Sequence, residues 1–226
     1  ATTRFTMRRG TQVDEQIAQT GHMPSSVSEL QGHSEAIAPK AFNVPQEPGD
    51  AFILSWAAAG GYGDPLERDP ERIVQDIERR NVTQEWAQSV YGVVFDDHGA
   101  IDTQATQEQR MSLRKARLNA VSPQERQHLD LDTARQIAEG LVVADDSIGC
   151  RKCGARIAKT TENYKLSCAV IEQPITEANP YILDPKTYVD DDMVLRSYAC
   201  PSCGLLLTTE MVRPTDPPLW DIQLNS

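Results

Sequence analysis

Long apolar runs are missing from this sequence, and histidine is scarce. No window approaches the ~18 apolar residues of a membrane-spanning helix, and the first residues hold no apolar leader core. A membrane is therefore not an expected partner, and the cytoplasm is the expected location. Histidine occurs only as His22, His33, His98 and His128, never at metal-ligand or triad spacing; His98 reads as a turn residue. There is no Gly-x-Ser-x-Gly elbow, no P-loop and no dinucleotide fingerprint. A basic surplus is also lacking. The net charge is -11, with 14 Lys and Arg against 23 Asp and Glu in residues 1–149, and 8 against 10 in residues 150–226. Binding nucleic acid requires cations that displace counterions from phosphates, so nucleic acid is not an expected partner either.

Against those absences stand two cysteine motifs, Cys150-Arg151-Lys152-Cys153-Gly154 and Cys200-Pro201-Ser202-Cys203-Gly204, with 46 residues between Cys153 and Cys200. In each, a glycine after the second cysteine lets the backbone turn back past the sulfurs, so that two thiolates converge. Together Cys150, Cys153, Cys200 and Cys203 make the four-sulfur tetrahedral set of a structural zinc site, with no position left for a catalytic water. Two disulfides, an iron ion in a four-sulfur site, or a redox dithiol at either motif would use the same residues. The fifth, odd cysteine, Cys168, and the expected reducing compartment favour metal over disulfides. Cys168 sits in an apolar run and reads as a small buried hydrophobe. The segment between the motifs contains strand-like runs, Tyr164 to Ile171 and Val194 to Ala199, and reads as an inserted subdomain.

The rest of the chain is expected to be α+β. Residues 1–38 show neither helical nor strand periodicity and read as an extended arm. Residues 39–120 form the next segment: a strand at Ala51–Trp56, a glycine turn at Gly60-Gly61-Tyr62-Gly63-Asp64-Pro65, and helices announced by Asp69-Pro70, by Thr83 and by Thr103. The glycine turn lacks a Gly-Lys-Ser/Thr ending and no helix starts directly after its glycines, so a structural turn is favoured over a phosphate loop. Arg110, Arg114, Lys115 and Arg117 read as a solvated helix face, or alternatively as a dock for an acidic partner. Residues 121–148 read as a helical connector, with a capping box at Ser122-Pro123-Gln124-Glu125 and a second helix from Asp132 to Gly140. Residues 149–226 form the β-rich, zinc-ribbon-like module. Asp190-Asp191-Asp192 reads as a solvated turn.

Two stretches resemble known families. Pro39-Lys40, Pro48-Gly49-Asp50, Gly60 to Pro65, Arg68-Asp69-Pro70-Glu71, Tyr91-Gly92-Val93-Val94, Asp102, Ala105-Thr106 and Arg110 resemble the C-terminal end of the hydantoinase B family. From about Gly149 onward, the two cysteine motifs, Glu162 to Ser167 and Val194 to Tyr198 are similar to the gamma subunit of acetone carboxylase. The resemblance implies an accessory zinc subunit of an ATP-dependent, biotin-independent ketone carboxylase of the acetone or acetophenone type. In such enzymes a ketone, bicarbonate and ATP give a β-keto acid. It further implies hydantoinase A-like and hydantoinase B-like large subunits as partners, with the nucleotide, any catalytic metal and the catalytic residues on them and none in this chain. An ATP-dependent hydantoinase or oxoprolinase subunit, or a free-standing zinc-ribbon adaptor, are the competing readings.

Overall fold

The computed structural model describes residues 3–38, 41–56, 61–118, 126–178, 182, 184–187 and 189–224. The chain divides into two compact units, the first being Ala1–Gly60 with Asn179–Asp184 and the second Gly61–Ala178 with Pro185–Ser226. The division falls after residue 60, not at the expected arm boundary of residue 38. The motif residues Pro39-Lys40, Gly60 and Ser122 to Glu125 lie outside the described residues.

The first unit is built on β1 (Arg4–Arg9), β2 (His33–Ile37) and β3 (Ala51–Ser55), an antiparallel sheet in the order β2-β1-β3, with helix α1 (Val13–Thr20) between the first two strands. The arm expected over residues 1–38 is thus a correction: Arg4–Arg9 is the central strand. Its own residues are mostly polar, and what orders them is pairing with partners distant in sequence, which local periodicity does not report. Phe5 faces Leu54 and Ile37, Met7 faces Phe52 and Glu35, and the Met7 side chain is buried. The Pro48-Gly49-Asp50 turn locks this sheet. Asp50 accepts from the backbone N–H groups of Glu47 (3.0 Å) and Gly10 (3.0 Å) and from Arg9 Nη1 (2.7 Å). The buried Thr11 hydroxyl donates to the Gly49 carbonyl at 2.6 Å.

The second unit opens with three helices, α2 (Pro70–Glu78), α3 (Gln84–Ser89) and α4 (Thr103–Ala116). Each starts where a side-chain oxygen satisfies an orphan N–H of the first turn. Asp69 accepts from Glu71 N, Thr83 from Trp86 N and Asp102 from Ala105 N. Pro70 supplies the preset φ at the first position of α2. Ile73, Ala87 and Val93 form a small core that Ile77, Tyr91, Phe95 and Ile101 enclose. Val93-Val94-Phe95 pairs through one bridge, Phe95 with Ile101, and the buried Thr106 hydroxyl accepts from Val94 N at 3.0 Å.

Two antiparallel sheets follow. Strands β4 (Arg135–Ala138), β5 (Leu141–Ala144), β6 (Ser147–Cys150) and β7 (Arg156–Lys159) are ordered β4-β5-β6-β7. After a 3₁₀ turn at Tyr164–Ser167 come β8 (Ala169–Pro174), β9 (Val194–Ala199) and β10 (Leu206–Val212), with β9 central. The helix expected from Asp132 to Gly140 is therefore a second correction. Gly140, read as a helix end, instead lies in the turn of a hairpin that pairs Arg135 with Val143. The apolar Leu141-Val142-Val143 run recruits the preceding residues as a strand partner, and that ladder overrides their weak local preference. The expected strand from Tyr164 begins only at Ala169, because Asn163 caps a 3₁₀ turn by accepting from Lys165 N at 3.2 Å. The main core is Leu141, Ile148, Cys150, Ile157, Ala158, Tyr164, Cys200 and Leu205, against which Ile222 and Leu224 pack. Among the described residues no helix is long and apolar enough to cross a membrane.

Candidate metal centre

The two cysteine motifs have the same local geometry. Cys150 ends β6, its N–H donates to Ala155 O (2.9 Å) and its carbonyl accepts from Gly154 N (2.8 Å). Cys200 follows β9, its N–H donates to Leu205 O (2.8 Å) and its carbonyl accepts from Gly204 N (2.9 Å). Gly154 and Gly204 close the two turns at φ +73 and +71, a region that costs other residues about 1 kcal/mol or more. Strand entry, a two-residue step between cysteines and a left-handed glycine thus bring each pair of sulfurs to one side.

The four ligand atoms of Cys150, Cys153, Cys200 and Cys203 lie within 4.8 Å of one another. The Cys150 and Cys203 sulfurs are 3.7 Å apart, and those of Cys153 and Cys200 3.8 Å. Four sulfurs about 2.3 Å from one central ion in a tetrahedron would be separated by about 3.8 Å, so the arrangement fits a single metal ion. None of the four cysteines is in a disulfide. Electrostatics favours the same conclusion. Hydrogen bonds from Cys150, Cys200 and Cys203 hold the Cys153 thiol below its ordinary value, while bonding with Cys150 and Cys153 pushes Cys200 and Cys203 up. Thiols this close cannot all become thiolates unless a cation compensates them. Cys168 stands outside the cluster. Its thiol donates to Tyr164 O at 3.4 Å, and burial pushes it up to about 12.

The segment 61–68 and the end of α4 lie directly against both motifs. The Asp64 carboxylate, wholly shielded from solvent, accepts from Leu206 N (2.9 Å), Leu66 N (3.0 Å), and Arg117 Nη1 and Nη2 (2.6 and 3.1 Å). Arg117 Nη1 also donates to Gly204 O at 3.0 Å. Burial works against ionisation of Asp64, but the bonds from Arg117 and Leu206 N outweigh it and its carboxyl sits below the usual value. Lys152, between the ligands of the first motif, pairs with Glu67 at 2.8 Å, and Glu67 also pairs with Arg114. Arg110 donates to Tyr91 O (3.0 Å) and Arg68 O (2.7 Å), and Arg114 to Leu66 O (3.1 Å). Three of the four cations read as a solvated face therefore hold the chain's own 64–68 loop and its neighbours. Their i, i+4, i+7 spacing was the available signal, because it aligns all three on one helical stripe.

A second buried polar cluster lies beside the β8–β10 sheet. Lys165 Nζ pairs with Glu210 (3.2 Å) and Asp221 (3.0 Å) and stands 5.3 Å from the Tyr198 ring centre. The Tyr198 hydroxyl donates to Glu210. Arg196 pairs with Glu172 at 2.8 Å and donates to the carbonyls of Asp216 (2.9 Å) and Pro214 (3.0 Å). Burial, then the bond to Glu210, pushes the Tyr198 hydroxyl up to about 12. These contacts tie the irregular C-terminal segment to the sheet. The sequence reading missed Lys165, which looks like any other surface lysine until Tyr164 and the sheet enclose it. His22, His33 and His98 are exposed, and His128 Nδ1 lies 2.8 Å from Cys153 O.

The fold and the cluster together define an α+β protein whose C-terminal part is a zinc-ribbon-like module built on four cysteines. Comparison with known families takes this further. Residues 121–225 match the family model of the acetone carboxylase gamma subunit, which includes all four cysteines and both sheets of the module. The chain is also similar to the B component of a putative D-/L-hydantoinase from a Pseudomonas species, 39% identical over 64 residues. The beta chain of a caprolactamase from Pseudomonas jessenii is 38% identical over 64 residues, and the acetone carboxylase alpha subunit of Xanthobacter autotrophicus 34% over 73. Each match takes in 28 to 30% of this chain and only 9 to 11% of the relative. The chain thus carries a gamma-like domain together with a short piece similar to much larger proteins.

Proposed function

We propose that this protein is an accessory, non-catalytic subunit of an ATP-dependent, biotin-independent ketone carboxylase complex, in which Cys150, Cys153, Cys200 and Cys203 hold a structural zinc ion. The observation that carries the reading is the four-sulfur cluster inside a domain similar to the acetone carboxylase gamma subunit, on the same chain as a segment similar to large subunits of that enzyme class. Zinc is the metal that four thiolates in a tetrahedron suit, and its coordination can contribute roughly 10 kcal/mol or more to folding. Hydantoinase A-like and hydantoinase B-like large subunits would be the partners, in the cytoplasm, and would carry nucleotide, ketone and bicarbonate. The module from 149 to 226 would clamp the segment from 39 to 120 into that assembly.

The test is native purification with mass identification of companion chains, followed by ketone- and bicarbonate-dependent ATP hydrolysis. Co-purifying large subunits and ketone-dependent turnover are the expected results. A folded chain recovered alone, without companions, would count against the complex. A second reading, a subunit of an ATP-dependent amide-opening enzyme, is favoured by the hydantoinase- and caprolactamase-named relatives. Turnover with a hydantoin or lactam but no ketone would select it. Cys200→Ser should lose the metal and unfold the cysteine module of residues 149–226, as metal analysis with circular dichroism would show.

A further inference from the structure

We infer that the 61–67 loop and the arginine-bearing end of α4 form a dock closed by the cysteine motifs themselves, so that metal occupancy and docking are linked in free energy. The inference rests on the reading of the four cysteines as a metal site. It assigns the Gly61-Tyr62-Gly63-Asp64-Pro65 motif a purpose that its sequence does not announce: Asp64 is a positioning residue for the second cysteine turn.

Residues 204–206 serve two structures at once. On one side they finish the metal turn, since Gly204 N donates to Cys200 O and Leu205 O accepts from Cys200 N. On the other side they are the floor of the dock, since Leu206 N donates to Asp64 and Gly204 O accepts from Arg117. A Cβ at Gly204 would stand 2.4 Å from the Arg114 carbonyl, so the end of α4 lies on the turn's backbone with no room between. The first motif is reached by the same loop, through Glu67 and Lys152. Neither Asp64 nor Glu67 is part of the four-sulfur cluster.

The consequence follows from the cost of stranding a buried charge. If the second turn opened on loss of metal, Asp64 would lose the Leu206 N–H, and Arg117 would lose the Gly204 carbonyl, leaving a shielded ion pair short of partners. Metal therefore favours the closed dock, and by reciprocity the closed dock must favour metal by the same factor. The device gives the 61–118 segment a metal-dependent hold on the module.

The test uses the full chain loaded with zinc. Zinc transfer to a chromogenic chelator is timed for the native protein, Asp64→Asn, Glu67→Gln, and the control Asp50→Asn in the other unit. Amide exchange is followed in α2, α4 and residues 61–68 with and without metal. Asp64→Asn is expected to speed zinc release about tenfold, within the range usual for coupled sites. Glu67→Gln is expected to speed it about twofold to threefold, in keeping with the modest worth of an exposed pair, and carries the test if Asp64→Asn fails to fold. Asp50→Asn is expected to leave release unchanged. Zinc removal should raise exchange in α4 and the loop more than in α2. Unchanged release in a folded Asp64→Asn protein, equal acceleration by Asp50→Asn, or full protection of α4 after zinc removal would each overturn the link. A chain that binds no zinc at all is a distinct result, and it would overturn the underlying metal reading as well.

Discussion

Lys165 is almost fully buried, with Glu210 and Asp221 as its counter-ions and the Tyr198 ring beneath it. A buried cation of this kind persists only because its partners satisfy it. Lys165→Met keeps most of the volume and removes the charge, leaving Glu210 shielded with Arg196 3.7 Å away. The expected cost is about 3 kcal/mol, measurable as a lowered urea midpoint. Exchange should rise in residues 213–224, which the cluster ties down. Cys168 shows the opposite case at the same scale: its thiol is pushed up by burial and belongs to the core lining. Reading it as a small hydrophobe needed only its apolar neighbours in sequence, whereas reading Lys165 correctly needed the sheet that covers it.

At the scale of elements, the helices of the second unit were legible because their start signals are local. Asp69 with Pro70, Thr83 and Asp102 each place a side-chain oxygen on an N–H two or three residues ahead. Asp102→Ala should cost about 1 kcal/mol, seen as a shift of the thermal midpoint, with exchange rising first at residues 103–106. Strand β9 was legible for a similar reason, since Val194–Ala199 is a β-rich run ending at a cysteine turn. By contrast, β1 and β4 were read as an arm and part of a helix. Their residues carry weak or contrary preferences, and each becomes a strand through partners supplied elsewhere: β3 and β2 for the first, the apolar β5 for the second.

For the whole molecule, acid is the condition that strains both units at once. Asp50 is held at about 2 by the N–H of Glu47, by Arg9 and by the N–H of Gly10. Asp64 is held below its ordinary value despite burial. A carboxylate whose folded value is depressed contributes stability that is fully present above the unfolded value of about 3.9 and is lost as pH falls through the folded value. Stability should therefore decline from about pH 4 toward pH 2. Urea melts across that range should show a shallower decline for Asp50→Asn, which removes one of the titrating groups.

Some features followed from the sequence without a structure. The four cysteines, their glycines and the caps at Asp69, Thr83 and Asp102 act over two to five residues, so spacing alone dictated that two sulfur pairs would form and where α2, α3 and α4 would begin. The scarcity of histidine and of basic surplus likewise narrowed the chemistry before any fold was known. Only the tertiary structure decided that the two pairs face each other within 4.8 Å, that Arg4–Arg9 is a central strand, and that Asp64 and Arg117 grip the second cysteine turn from within the chain. Those outcomes depend on contacts between residues tens of positions apart. A carboxylate or guanidinium carries no local mark of the partner that burial will give it.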